Sequence, residues 1–76
     1  MKPWNIKPGM WIRVYATIEQ RAWREVSEVT KQRRIFDRGY LWSVRYFEAG
    51  STTNVCLFHD DDMEARTAEQ HKAATT

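Results

Sequence analysis

Arginine and aromatic side chains are the residues with the most chemistry to offer in this sequence. In Trp11-Ile12-Arg13-Val14-Tyr15 they alternate with aliphatic residues. Read as a strand, this run puts Trp11, Arg13 and Tyr15 on one face and Ile12 and Val14 on the other. A second run, Trp42 to Phe47, sets Ser43, Arg45 and Phe47 opposite Trp42, Val44 and Tyr46. In one sheet, the two runs would interleave guanidinium groups and rings. Such a surface stacks nucleic-acid bases, at roughly 1–3 kcal/mol per base, and holds phosphates. The same rings would also serve as a second small core under residues 1–8, or as a homodimer interface along an exposed aromatic strand. Lys31, Arg33, Arg34 and Arg38 form a separate basic stretch suited to phosphate contacts.

The remaining reactive residues carry less. His59-Asp60-Asp61-Asp62 offers oxygen ligands for a hard cation. Neighbours in a strand point to opposite faces, however, and no glycine-spaced calcium loop is present, so the triplet reads as a turn closing a strand. A thiol nucleophile at Cys56 would need His59 or His71 within hydrogen-bonding reach. Cys56 lies in an apolar run and reads as a buried, inert thiol, while His71 falls in a tail not expected to pack. An aromatic cage for a methylated cation, drawn from Tyr40, Trp42, Tyr46 and Phe47, would need rings converging from loops, and strand spacing separates them instead. No nucleophile, base and orienting group assemble. The expectation is a non-enzymatic protein with no cofactor and no metal.

Several elements must position these residues. The strongest signal is a hairpin over residues 40–59. Leu41–Glu48 and Thr53–His59 are rich in β-branched and aromatic residues. Ala49 to Thr52 form the turn, with Gly50 free to take a positive φ. Residues 1–9 form an extended lead-in, since Pro3 and Pro8 resist helix and Pro8-Gly9 marks a turn. Trp4 and Ile6 are expected to pack over an open end of the core. Residues 10–16 are a strand whose aliphatic face continues to Ala16. Residues 17–31 support two readings. Thr17 and Gln20 fit a capping box, and Ile18, Ala22, Val26 and Val29 fall near helical spacing, with a short helical turn at 17–22 as the smallest version. As a strand, Trp23, Val26 and Val29 require a bulge between 26 and 29. Residues 30–39 read as a basic loop. Residues 60–66 read as a short closing strand or a single helical turn. Residues 67–76 hold no large apolar side chain and are expected to form a disordered or weakly helical tail.

Size and charge bound the whole. With 76 residues the chain is one domain, taken as residues 1–66 with residues 67–76 as a flexible tail. Its core must be thin, so many of its 4 Trp, 3 Tyr and 3 Phe have to fill it. Net charge is only +2, but eight basic residues fall between Arg13 and Arg45, and Asp60, Asp61, Asp62 and Glu64 cluster after them. That segregation favours a polarised surface. One cysteine allows no internal disulfide, and no apolar run approaches the roughly 18–20 residues of a membrane span. A cytoplasmic protein that does not engage a membrane is the expectation. The Met1 start reads as that of a complete polypeptide.

The order Lys7-Pro8-Gly9-Met10-Trp11-Ile12-Arg13-Val14, then Trp23-Arg24-Glu25-Val26, then Val44 to Gly50, then Val55-Cys56-Leu57 and Asp60-Asp61-Asp62 resembles the small SH3-like barrels, including Tudor-like and KOW-like modules. The resemblance covers roughly residues 7–66. It implies a mostly β fold, a barrel of about five short antiparallel strands, and it tilts residues 20–31 toward strand. Closing five strands on themselves would hide most sheet edges.

The functional expectation is therefore a binding module. Its first form binds DNA or RNA through Trp11, Arg13, Tyr15, Arg45 and Phe47 with Lys31, Arg33, Arg34 and Arg38. Its alternative is a protein-interaction module, of the kind a small phage or mobile-element protein uses to occupy a host protein.

Overall fold

The computed structural model describes residues 1–15, 21–33 and 39–75. A 3₁₀ turn at Pro3–Asn5 precedes strands β1 (Trp11–Tyr15), β2 (Arg21–Arg33), β3 (Tyr40–Glu48), β4 (Ser51–Phe58) and β5 (Ala65–Arg66), and helix α1 (Ala68–Thr75) follows them. The lead-in is thus not wholly extended. Pro3 opens the 3₁₀ turn, where its missing N–H costs nothing. No helix among the described residues is long and apolar enough to cross a membrane.

The hairpin at 40–59 forms with the two-residue turn Ala49-Gly50, both at positive φ (49° and 85°). That matches a primed turn, whose twist suits the flanking strands. Alanine is strained there, because its Cβ crowds the following carbonyl. Ala49→Asn is expected to stabilise the protein by about 1 kcal/mol, since Asn-Gly is the favoured pair. A higher urea midpoint at unchanged slope would register it.

β2 decides the shape. Its 13 residues pair with β1 through Arg21–Glu25 and with β3 through Val26–Arg33. Val26 opposes Tyr46 and Glu28 opposes Arg45, so the ladder shifts between them. This bulge moves the inward side from even to odd positions, so Val26 and Val29 both reach the core. The three-residue spacing that suggested helix is this bulge. Arg21 and Ala22 are strand, which corrects the proposed helical turn at 17–22, and Thr17 and Gln20 lie outside the described residues. Lys31 and Arg33 also stand on β2 rather than in a loop.

Ile6, Ile12, Val14, Val26, Val44, Tyr46 and Leu57 form the buried core. Trp42, Val55 and Met63 pack against it half-buried. Of the two residues expected over its open end, Ile6 is buried and Trp4 is 42% exposed.

The expected barrel does not close. The strands form one sheet in the order β4-β3-β2-β1-β5, with β4 at an edge. β5 has two residues, and both pair with β1, opposite Trp11 and Ile12. Residues 59–64 cross the remaining side without joining β4. They are held by Met63 N to Met1 O (2.9 Å) and Arg13 N to Glu64 O (2.9 Å). The aspartate triplet works as a turn: Asp61 Oδ2 accepts the Phe58 N–H at 2.7 Å, and Asp62 pairs with Lys2 at 3.2 Å.

The tail is a two-turn helix. Thr67 Oγ1 accepts from Gln70 N (3.1 Å), and Gln70 Oε1 accepts from Thr67 N (2.9 Å). This reciprocal capping box satisfies two amides that would otherwise lack partners.

Candidate functional site

The face away from the core carries the expected rings and cations, and the chain itself engages most of them. Arg13 faces Trp23, Tyr15 faces Arg21, and Trp11 faces Glu25 across β1 and β2. The His71 ring of α1 stacks on Trp11, with centroids 3.8 Å apart and planes 10° from parallel. The Arg66 guanidinium lies 3.9 Å over Trp23 and donates from Nε to His71 Nδ1 at 3.1 Å. His71 therefore packs, contrary to expectation, and α1 covers the two tryptophans although none of its residues is fully buried.

Glu64 lies between two arginines, at 3.2 Å from Arg13 and 3.4 Å from Arg21. Arg21 also donates to the Tyr15 hydroxyl at 2.8 Å. These groups rim a cleft of about 460 Å³ on the unclosed side of the sheet, where Tyr46 and Val55 supply apolar walls. Arg24 grips Glu48 with two hydrogen bonds, at 2.9 and 3.1 Å. The Glu48 hydrogen bond raises the Arg24 pKa above its usual value. Arg45 donates to Asn54 Oδ1 at 3.2 Å and lies 3.8 Å from Glu28. Phe47 is 49% exposed.

The far end of the β2–β3 hairpin differs. Lys31 opposes Trp42, and Arg33 opposes Tyr40. The Lys31 ammonium sits 3.9 Å from the Tyr40 ring centre and 5.4 Å from that of Trp42. His59 lies 5.7 Å from Tyr40 and 4.8 Å from Trp4. The indole N–H of Trp42 is buried, with no acceptor among the described residues. Neither Lys31 nor Arg33 has a carboxylate partner among the described residues. Arg34 and Arg38 lie outside the described residues. Of the four rings considered for a cage, Tyr40 and Trp42 converge on a cation. Tyr46 is core, and Phe47 belongs to the opposite face.

Cys56 is exposed, a correction to the buried thiol expected from its apolar neighbours. It stands opposite Ser43 on the outer face of an edge strand, while Val55 and Leu57 turn inward. Among the described residues no cluster of His, Cys, Asp and Glu is arranged to hold a metal ion.

Trp23, Arg66 and His71 were not singled out for this face. Two signals pointed to them: Arg21-Trp23-Glu25 repeats the alternation of β1, and Thr67-x-x-Gln70 is a capping box. Their contact is expected to depend on pH. Burial against the rings, and then the Arg66 charge, lower the His71 pKa from its ordinary value near 6.5. Glu25 and Arg66 are the charged groups on the strands beside it. The docked state favours neutral imidazole, so this contribution is complete above about pH 6.5 and fades as pH falls through the lowered value. Tryptophan fluorescence should report α1 undocking on acidification, and His71→Phe should keep the stack and abolish that transition.

No family model, curated protein or solved structure matches this chain.

Proposed function

We propose that the protein is a non-enzymatic nucleic-acid-binding module that makes contact through the far end of the β2–β3 hairpin. One observation carries the reading. Arg13, Arg21, Arg24 and Arg45 each face a carboxylate of the chain, whereas Lys31 rests beside rings and neither it nor Arg33 faces a carboxylate among the described residues. A paired arginine must surrender its carboxylate to take a phosphate; an unpaired one need not. Residues 30–39 hold four basic residues and one acid, Asp37, a local charge of +3 against +2 for the whole chain. Tyr40 and Trp42 add stacking surfaces beside those charges. This moves the weight from the Trp11–Arg13–Tyr15 face to the hairpin end.

The test is fluorescence anisotropy with single- and double-stranded oligonucleotides over a salt series. Four phosphate contacts predict a log–log slope of about −3. An absence of binding at low salt would sink the proposal. A protein-interaction role attaches to a different surface, the edge of β4.

A further inference from the structure

β4 ends the sheet with eight residues, Ser51 to Phe58, and none of them is charged or is proline. Soluble proteins usually blunt such an edge with lysine, proline, a bulge or a covering segment. Among the described residues no lysine, proline, bulge or covering strand blunts β4 along its paired length, Asp62, Met63 and Glu64 standing across a cleft from Asn54 and Val55, and its register with β3 runs unbroken from Ser51 to Phe58.

The direction of its backbone groups follows from its two ends. The Phe58 N–H points away from β3, because it donates to Asp61 Oδ2, and the Phe58 carbonyl accepts from Asp61 N at 3.0 Å. Peptide groups alternate along an antiparallel strand, so those of Thr52, Asn54 and Cys56 also point outward. The Asp61 turn closes the outward row at one end and the Ala49-Gly50 turn closes it at the other. What remains is a short, symmetric template centred on Asn54.

We infer that this edge pairs with β4 of a second copy, antiparallel about a two-fold axis at Asn54. In that register Asn54 faces the second copy's Asn54, and Thr52 faces its Cys56. Each such pair exchanges two backbone hydrogen bonds. Phe58, 48% exposed, comes to lie over the second copy's Gly50, a position where a ring supplies the packing that glycine lacks. No like charges meet within the paired strands, since β4 has none. The two Arg45 side chains stay apart, each behind the Asn54 of its own chain. A symmetric interface needs one patch complementary to itself, and an uncharged strand with its outward amides centred on one residue satisfies that.

The test uses the full chain. Sedimentation velocity should give a species of about twice the 9.1 kDa chain mass. Asn54→Pro removes one outward N–H while leaving the β3 ladder intact, because that N–H does not point toward β3. It should raise the dimer dissociation constant at least about tenfold, with an unchanged far-UV circular dichroism spectrum. Asn54→Lys should do the same at low salt and recover partly at high salt, as screening weakens the facing charges. Thr52→Cys should form an interchain disulfide with the second copy's Cys56 on mild oxidation. Residues 52 and 56 of one chain are about 13 Å apart and cannot bridge internally. A wild-type protein that stays monomeric at several hundred micromolar would overturn the inference. So would an undiminished dimer in folded Asn54→Pro, or an oxidised dimer of wild type linked through Cys56 alone. A monomer that pairs β4 with a strand of another protein would likewise overturn it.

Discussion

Ile12→Ala is expected to remove about half of the protein's folding stability at room temperature. Ile12 is the fully buried residue of β1, and it has a neighbour on both sides: Arg24 in β2 and Ala65 in β5. Removing most of its side chain opens a cavity beneath three strands, with little scope for collapse because β5 is only two residues long. Such truncations cost about 2–5 kcal/mol. A chain of this length has about 4–11 kcal/mol of total stability. The loss is therefore a large share of the whole. Urea denaturation followed by tryptophan fluorescence measures it directly. Phe47→Ala, at an exposed position of the neighbouring hairpin, should shift stability by no more than about 0.5 kcal/mol. Equal losses in the two variants would mean that the core is not centred on Ile12.

The second large effect concerns binding. Replacing Lys31, Arg33, Arg34 and Arg38 together by Gln is expected to weaken nucleic-acid binding at least about a hundredfold at 50 mM salt and to flatten the salt slope by about 3. Arg13→Gln with Arg21→Gln is the matched control. Both arginines already share Glu64, so their loss should change affinity by no more than about threefold. The reverse ranking, with the control as the weaker binder, would return the function to the β1 face. Lys31 and Arg33 sit outside the buried core, so both variants should stay folded, and circular dichroism checks that.

Much of the fold was legible from the sequence because it depends on short-range pattern. The alternation in Trp11–Tyr15 and Trp42–Phe47 assigned inward and outward faces correctly, since each strand follows a strict period of two. Gly50 marked the turn. What failed depends on long-range geometry or on a break in period. Val26 and Val29 mimic a helix because a bulge adds one residue to a strand. Closure of the barrel turns on whether a two-residue β5 reaches β4, which no local spacing encodes. Cys56 looked buried among Val55, Leu57 and Phe58, yet strand parity at an edge turns it outward.

The site was legible in its parts and not in its pairings. Arg13, Tyr15, Arg45 and Phe47 are exposed on the outer face as expected. Glu64 and His71 come from distant sequence to occupy two arginines and a tryptophan. Their residue types gave little warning of this, because a glutamate and a histidine in polar stretches suit open solvent as well as they suit a contact.

The bulge at Ser27 also sets how the gene can change length. A substitution within β2 alters one side chain, but loss of a single codon there would restore an unbroken period of two from Arg21 to Arg33. Val29, Lys31 and Arg33 would keep their inward face and their partners Val44, Trp42 and Tyr40, with Glu28 still opposite Arg45. A codon gained there would instead turn Val29 out of the core and Lys31 away from the rings of Tyr40 and Trp42, unless the strand formed a second bulge. The bulge thus makes β2 more tolerant of losing a residue than of gaining one, and in-frame loss of Ser27 should be better tolerated than insertion of a residue beside it.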